Sequence, residues 1–197
     1  QGALEISGRY LEEAATIWGG LNHWPELART LHNLALVLQA QNDMGGARAC
    51  LADATRAVAK TASELDRTLI YLAEGAFYFE QKQYDQAETA FTRIDLGYLE
   101  QAGHKYYQAY TLNNLGNVAF IRGHYSKGEQ LLRESVQLWQ ELAEPFEMAN
   151  SLGKLGDVLM GQNKEGESLL IYRQAIALLD QYDRDGFYTG LRQALAE

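Results

Sequence analysis

Leu112-Asn113-Asn114-Leu115-Gly116 has three counterparts in the chain: Leu31-His32-Asn33-Leu34-Ala35, Tyr71-Leu72-Ala73-Glu74-Gly75 and Leu152-Gly153-Lys154-Leu155-Gly156. Their spacing decides the fold, because the small residues that close them, Ala35, Gly75, Gly116 and Gly156, recur at intervals of 40, 41 and 40 residues. Twelve positions beyond each stands a second small residue, Ala47, Ala87, Gly128 or Ser168. Four further on comes a large apolar or aromatic one, Leu51, Phe91, Leu132 or Tyr172, and three beyond that Ala54, Ile94, Ser135 or Ala175.

Each element of this pattern has a steric reason. Two antiparallel helices approach closely only where both present a small side chain at the crossing. A large residue at fixed phase on the second helix then fills the space between hairpins. Polar turns, Gln41-Asn42-Asp43, Gln81-Lys82-Gln83, Arg122-Gly123-His124 and Gly161-Gln162-Asn163, separate segments with apolar residues at helical spacing. The expected first helices are 24–40, 65–81, 104–122 and 146–161, and the second helices 44–61, 84–101, 125–143 and 165–182. Pro25 and Pro145 fall at first-helix starts, where the missing N–H has no partner to lose.

The composition agrees. Of 197 residues 47% are hydrophobic, enough for a sizeable core, and only two are proline. The expectation is an all-α chain. A formal charge of −9 repels phosphate backbones and anionic lipid, which argues against nucleic-acid and membrane partners. No apolar run reaches the roughly 18 residues of a membrane span. Cys50, the one cysteine, excludes an internal disulfide, and a reducing, cytoplasmic setting is the default.

The small residue of the first helix, the alanine of the second and turns such as Gly123-His124-Tyr125 and Gln83-Tyr84-Asp85-Gln86-Ala87 resemble the tetratricopeptide repeat over residues 8–182. The resemblance implies a right-handed α-solenoid of antiparallel helix hairpins. The longer interval, with phrases such as Leu112-Asn113-Asn114-Leu115-Gly116-Asn117, is similar to the repeats of kinesin light chains and of the sensor arms of bacterial STAND-type signalling ATPases and transcription activators. Glu74 departs from the leucine found at its position in the other copies. The domain expectation is one array over 1–197: the second helix of a truncated repeat at 8–21, repeats at 24–62, 65–101, 104–143 and 146–182, and a capping helix or further hairpin at 186–196. An excerpt from a longer array is the corresponding expectation for the chain as a whole.

Stacks of this kind line a concave face with their first helices, and helical phase selects the candidates. Positions three before and one after each small residue, then six before and four after, mark this face, and the candidates on it are Arg29, His32, Leu36, Leu72, Phe79, Tyr110, Asn113, Asn117, Phe120, Asn150 and Asp157. Asn113, Asn117 and Asn150 read either as a clamp on the backbone of an extended peptide or as amides bonded to neighbouring helices. Phe79, Tyr110 and Phe120 read either as an apolar anchor pocket or as core, the latter being commoner. Trp18, Trp24 and Trp139 read as packing at hairpin junctions. The four histidines lie on separate elements without metal-ligand spacing, Cys50 reads as a structural thiol, and no phosphate-binding glycine loop is present. The expectation is a module without cofactor or catalysis that holds a protein, a peptide or another domain of its parent chain. The alternatives are a scaffold without a discrete ligand and a homodimer formed through exposed repeat ends.

Overall fold

The computed structural model describes residues 2–182 and 189–196. The chain is helical throughout its described length and divides into two compact units, Gln1–Asp95 and Leu96–Glu197.

In the first unit, α1 (Gly2–Gly20), α2 (Trp24–Ala40), α3 (Met44–Val58), α4 (Glu64–Glu80) and α5 (Tyr84–Thr92) pack each against the next. The core places Ala35 of α2 against Ala47 and Leu51 of α3 and Phe77 of α4. Asp43 caps α3 by accepting from Gly46 N at 2.9 Å, and Ser63 caps α4 by accepting from Asp66 N at 3.1 Å. In the second unit, α6 (Leu96–Gln101), α7 (Lys105–Ile121), α8 (Tyr125–Leu142), α9 (Pro145–Gly161), α10 (Glu165–Tyr182) and α11 (Thr189–Ala196) follow the same rule. Its core contains Leu132, Leu155, Val158 and Leu159, with a neighbouring cluster of Ala149, Leu152, Ala175 and Leu179.

Ala35, Gly75, Gly116 and Gly156 are all buried. A Cβ on Gly75 would overlap the Phe91 ring, one on Gly156 the Tyr172 ring, and one on Gly116 would lie 2.7 Å from Leu132 Cγ. The small residue of each first helix therefore faces the large residue of its own second helix, as the spacing requires.

The turns inside the hairpins repeat as strictly. Asn42, Lys82, Gly123 and Asn163 each adopt a left-handed φ of +57° to +75°. The following N–H closes a six-residue loop to the helix before it, Asp43 to Leu38 O and Gln83 to Tyr78 O at 2.8 Å, and Lys164 to Leu159 O at 2.9 Å. This is the Schellman arrangement, which satisfies carbonyls that the helix end leaves unpaired.

Two expectations need correction. The helix expected over 84–101 is broken, since α5 ends at Thr92 and α6 begins at Leu96. Thr92 Oγ1 bonds back to Glu88 O and Thr89 O, and the amides of Arg93 and Ile94 tighten to carbonyls three residues back. Asp95 then occupies the position before a new helix that such a residue favours. The segment expected at 8–21 is longer, with α1 starting at Gly2. Of the segment expected at 186–196, residues 186–188 lie outside the described residues, and α11 accounts for the rest.

Candidate functional site

Helical phase places the candidate residues on one flank of each first helix, about 40° to 120° round from its small residue. In the first unit this face carries Arg29, His32 and Leu36 on α2. Arg29 leans toward Glu26 of its own helix at 3.4 Å and toward Asp66 of α4 at 3.7 Å. His32 is half-buried, and loss of hydration holds its pKa below the usual histidine value. Leu36 is 52% exposed. Phe79 is half-buried with its ring 5.4 Å from that of Tyr84, edge to face. Leu72, by contrast, is buried among the core residues and offers no surface to a partner. Its phase sets it at the flank of the exposed face, where the neighbouring helices close over it.

In the second unit the corresponding face belongs to α7 and α9. Tyr110, Asn117, Phe120 and Asn150 are half-buried, and Asp157 is exposed. Asp157 Oδ1 accepts from Tyr172 OH at 2.6 Å, which ties it to α10. Phe120 packs on the cluster around Leu132 and Leu159, with Tyr125 at 6.0 Å between ring centroids.

Asn113 does not belong to this face. It is 2% exposed, and its Oδ1 accepts from Ser151 Oγ of α9 at 3.1 Å. Ser151 Oγ in turn accepts from Trp139 Nε1 at 3.1 Å and lies 3.2 Å from Ser135 Oγ, which donates to Ala109 O. Asn113 is thus one end of a buried polar chain joining α7, α8 and α9, and the clamp loses that member. Asn114 donates to Tyr110 O of its own helix at 2.9 Å.

Two groups add to the candidates: Lys154, and Glu74, whose role the sequence leaves unassigned. Lys154 lies two residues before Gly156, directly opposite it around the helix, beside Asn150 and with Glu147 and Asp157 as its charged neighbours. Burial drives its pKa down to about 8, against the partial compensation of those two carboxylates. Burial likewise raises the pKa of Glu147, so both groups are short of water. The signal in the sequence is its phase within Leu152-Gly153-Lys154-Leu155-Gly156. Glu74 is the second: its Oε2 accepts from Thr55 Oγ1 of α3 at 3.1 Å and from Arg93 at 2.9 Å, while the Arg93 guanidinium sits 3.9 Å from the centroid of the Tyr71 ring. The departure from leucine at Glu74 marks a polar tie across α3, α4 and the end of α5.

Cys50 is half-buried, and burial first, then Glu12 and Asp43, pushes its thiol pKa up, away from a nucleophile at neutral pH. Among the described residues no helix is long and apolar enough to cross a membrane.

Comparison with known proteins agrees with this geometry. Two family models described as tetratricopeptide repeat match residues 27–58 and 107–181. No curated protein matches the sequence. Among solved structures, BtubC (BKLC) from P. vanneervenii is similar with a TM-score of 0.75 at 17% identity, over 91% of this chain and 74% of that one. A Podosopora anserina protein of nearly identical TPR-like repeats, named for the kinesin light chain, gives 0.72 at 16% identity, over 93% and 90%. MamA gives 0.59 at 14%, over 90% and 94%. At these identities the likeness is one of fold.

Proposed function

Because this chain belongs to the tetratricopeptide repeat family, we propose that it is a polypeptide-binding module whose receptor surface is the first-helix face of α7 and α9. The observation that carries the reading is Lys154. A lysine deprived of water costs stability unless something outside the helix pair uses it, and this one stands beside Asn150 and on the same side as Asn117. Amides and an ammonium on rigid helices are already ordered, so a partner meets little reorganisation cost on this side of the interface. The unit supplies donors that an extended main chain accepts, with Tyr110 as an aromatic neighbour.

The repeat interval supports a role as the sensing part of a larger regulator, where ligand docking shifts the balance between two arrangements of the parent. The single cysteine and the negative charge are in keeping with a cytoplasmic protein without a nucleic-acid partner. Catalysis has no part in the reading.

The test begins with peptides selected from a random display library on the whole chain. Binding of a selected peptide is then measured by calorimetry for the wild type and for Asn117→Ala combined with Lys154→Met. The account expects affinity to fall at least about tenfold, or about 1.4 kcal/mol. Equal affinity in a folded double variant removes this face as the receptor.

One observation favours a second reading, self-association. Ile6, Tyr10 and Ile17 are all more than half exposed and fall on one stripe of α1, and exposed Leu21 follows its end. Sedimentation across a dilution series separates the readings: a dimer abolished by Tyr10→Glu with Ile17→Glu supports association through α1, and a monomer at all concentrations excludes it.

A further inference from the structure

On the side of α2 remote from Arg29, His32 and Leu36, helices α1, α2 and α3 surround a groove of about 450 Å³. Trp24, Leu27 and Leu31 form its floor, and Asp53, Arg56 and Lys60 stand around it. Arg56 is ion-paired with Asp53, three residues back along α3. Lys60 has no carboxylate within ion-pair reach among the described residues; its Nζ rests 3.7 Å from the centroid of the Trp24 ring. Lys60 is exposed, so its ammonium meets water on its outer side and the indole face, at the edge of the apolar lining, on its inner side.

The second unit has a groove at the same point of the repeat. Met148 and Leu178 line it where Leu27 and Ala57 line the first, each pair 121 residues apart in the sequence. That groove, of about 380 Å³, is lined by Trp139 and Tyr182 as well, and its charged member is Glu144. The repeat builds the hollow; residues 56 and 60 give the first one its positive side. Basic residues near the end of α3 also suit the helix dipole, but that account leaves unexplained why an indole and a hollow lie beneath them.

The geometry points to the groove of the first unit as a binding site for a small amphiphilic carboxylate. Its aryl or alkyl body rests on Trp24, Leu27 and Leu31, and its anionic head lies between Arg56 and Lys60. Volumes of this order, apolar with a few polar groups, are usual for small-ligand sites. Charge-assisted hydrogen bonds from Arg56 and Lys60 replace the water that the carboxylate gives up. The groove is separate from the first-helix face, so its failure would leave the polypeptide-binding reading untouched.

Proton–nitrogen correlation spectra of the whole chain test the assignment. Phenylacetate and its neutral isostere phenylacetamide are titrated, with the Trp24 indole signal identified through Trp24→Phe and Trp139 serving as the internal control. The expected result is a saturable shift of Trp24 with phenylacetate, at least about tenfold weaker with the amide, and a Trp139 signal that stays in place. Arg56→Gln with Lys60→Gln should weaken phenylacetate by a similar factor while circular dichroism keeps its helical signature. Should that variant unfold, the wild type is titrated at about 0.05 and about 0.5 M salt, where screening should weaken the carboxylate and leave the amide unchanged. A Trp24 signal that does not move, equal binding of acid and amide, or indifference to both the variant and salt overturns the proposal.

Discussion

Ser151 sits where three helices of the second unit meet, and its hydroxyl is fully buried between the Trp139 indole and the Asn113 amide. Replacing Ser151 with alanine leaves both partners buried and unpaired; unfolding in urea should show a loss of about 2 kcal/mol. Glu129 is the corresponding point nearer the surface. Its carboxylate accepts from Arg133 at 2.7 Å, from Lys164 at 3.0 Å and from Gln162 at 2.8 Å, and these bonds, Arg133 first, lower its pKa to about 2. A carboxylate with a depressed folded pKa stabilises above its unfolded value and loses that contribution as pH falls toward the folded one. The wild type should therefore exceed Glu129→Gln by about 1–2 kcal/mol at neutral pH, a figure reduced for the solvent exposure of Arg133 and Lys164. The gap should close between pH of about 4.5 and about 2, as read by urea unfolding at each pH. At this scale the sequence was least legible. Phase sorts residues into faces but does not say which flank a neighbouring helix covers, so Asn113 and Leu72 looked available and proved buried. Lys154 was passed over because its surroundings, two glycines and two leucines, resemble packing.

Helices were legible where composition and turn chemistry agree. The span 24–40 was expected for the helix that begins with Trp24-Pro25 and ends before an asparagine in left-handed geometry, and α2 has those bounds. The break between α5 and α6 was hidden because Phe91, Ile94 and Leu99 keep an apolar rhythm across it, and all three are buried. At the break the amides of Arg93 and Ile94 bond three residues back and Asp95 precedes a new helix, local features that periodicity does not register. Junctions also show where an element is less than ideal. Ala143, the residue after α8, is held at φ +55°, ψ +41°, a conformation that its Cβ resists. Ala143→Gly removes that resistance at the expense of a freer unfolded chain, and thermal unfolding should show a net gain of about 0.5–1 kcal/mol. A loss of stability would mean that the Ala143 methyl group makes contacts worth more than its strain.

Across the molecule, the fold requires that backbones approach at regular points, as at Gly116 and Gly128. That requirement fixes small and large residues in phase, and the same positions announced the fold in the sequence. Side chains on the first-helix face answer to a partner instead, and nothing in the packing constrains them, so the partner was not legible. A surface kept for binding often weakens the fold that carries it, and Lys154 makes this measurable. A lysine whose folded pKa lies below its unfolded one reduces stability while charged, so stability should rise as pH climbs from about 8 toward the unfolded value of about 10.4. Removing the charge at neutral pH should do the same. The decisive measurement is urea unfolding of Lys154→Met and the wild type at pH of about 7, each with and without a selected peptide. The account predicts a variant about 1–2 kcal/mol more stable alone that gains little from the peptide, whereas the wild type gains according to its affinity. A variant less stable than the wild type, yet stabilised by the peptide to the same extent, would contradict it.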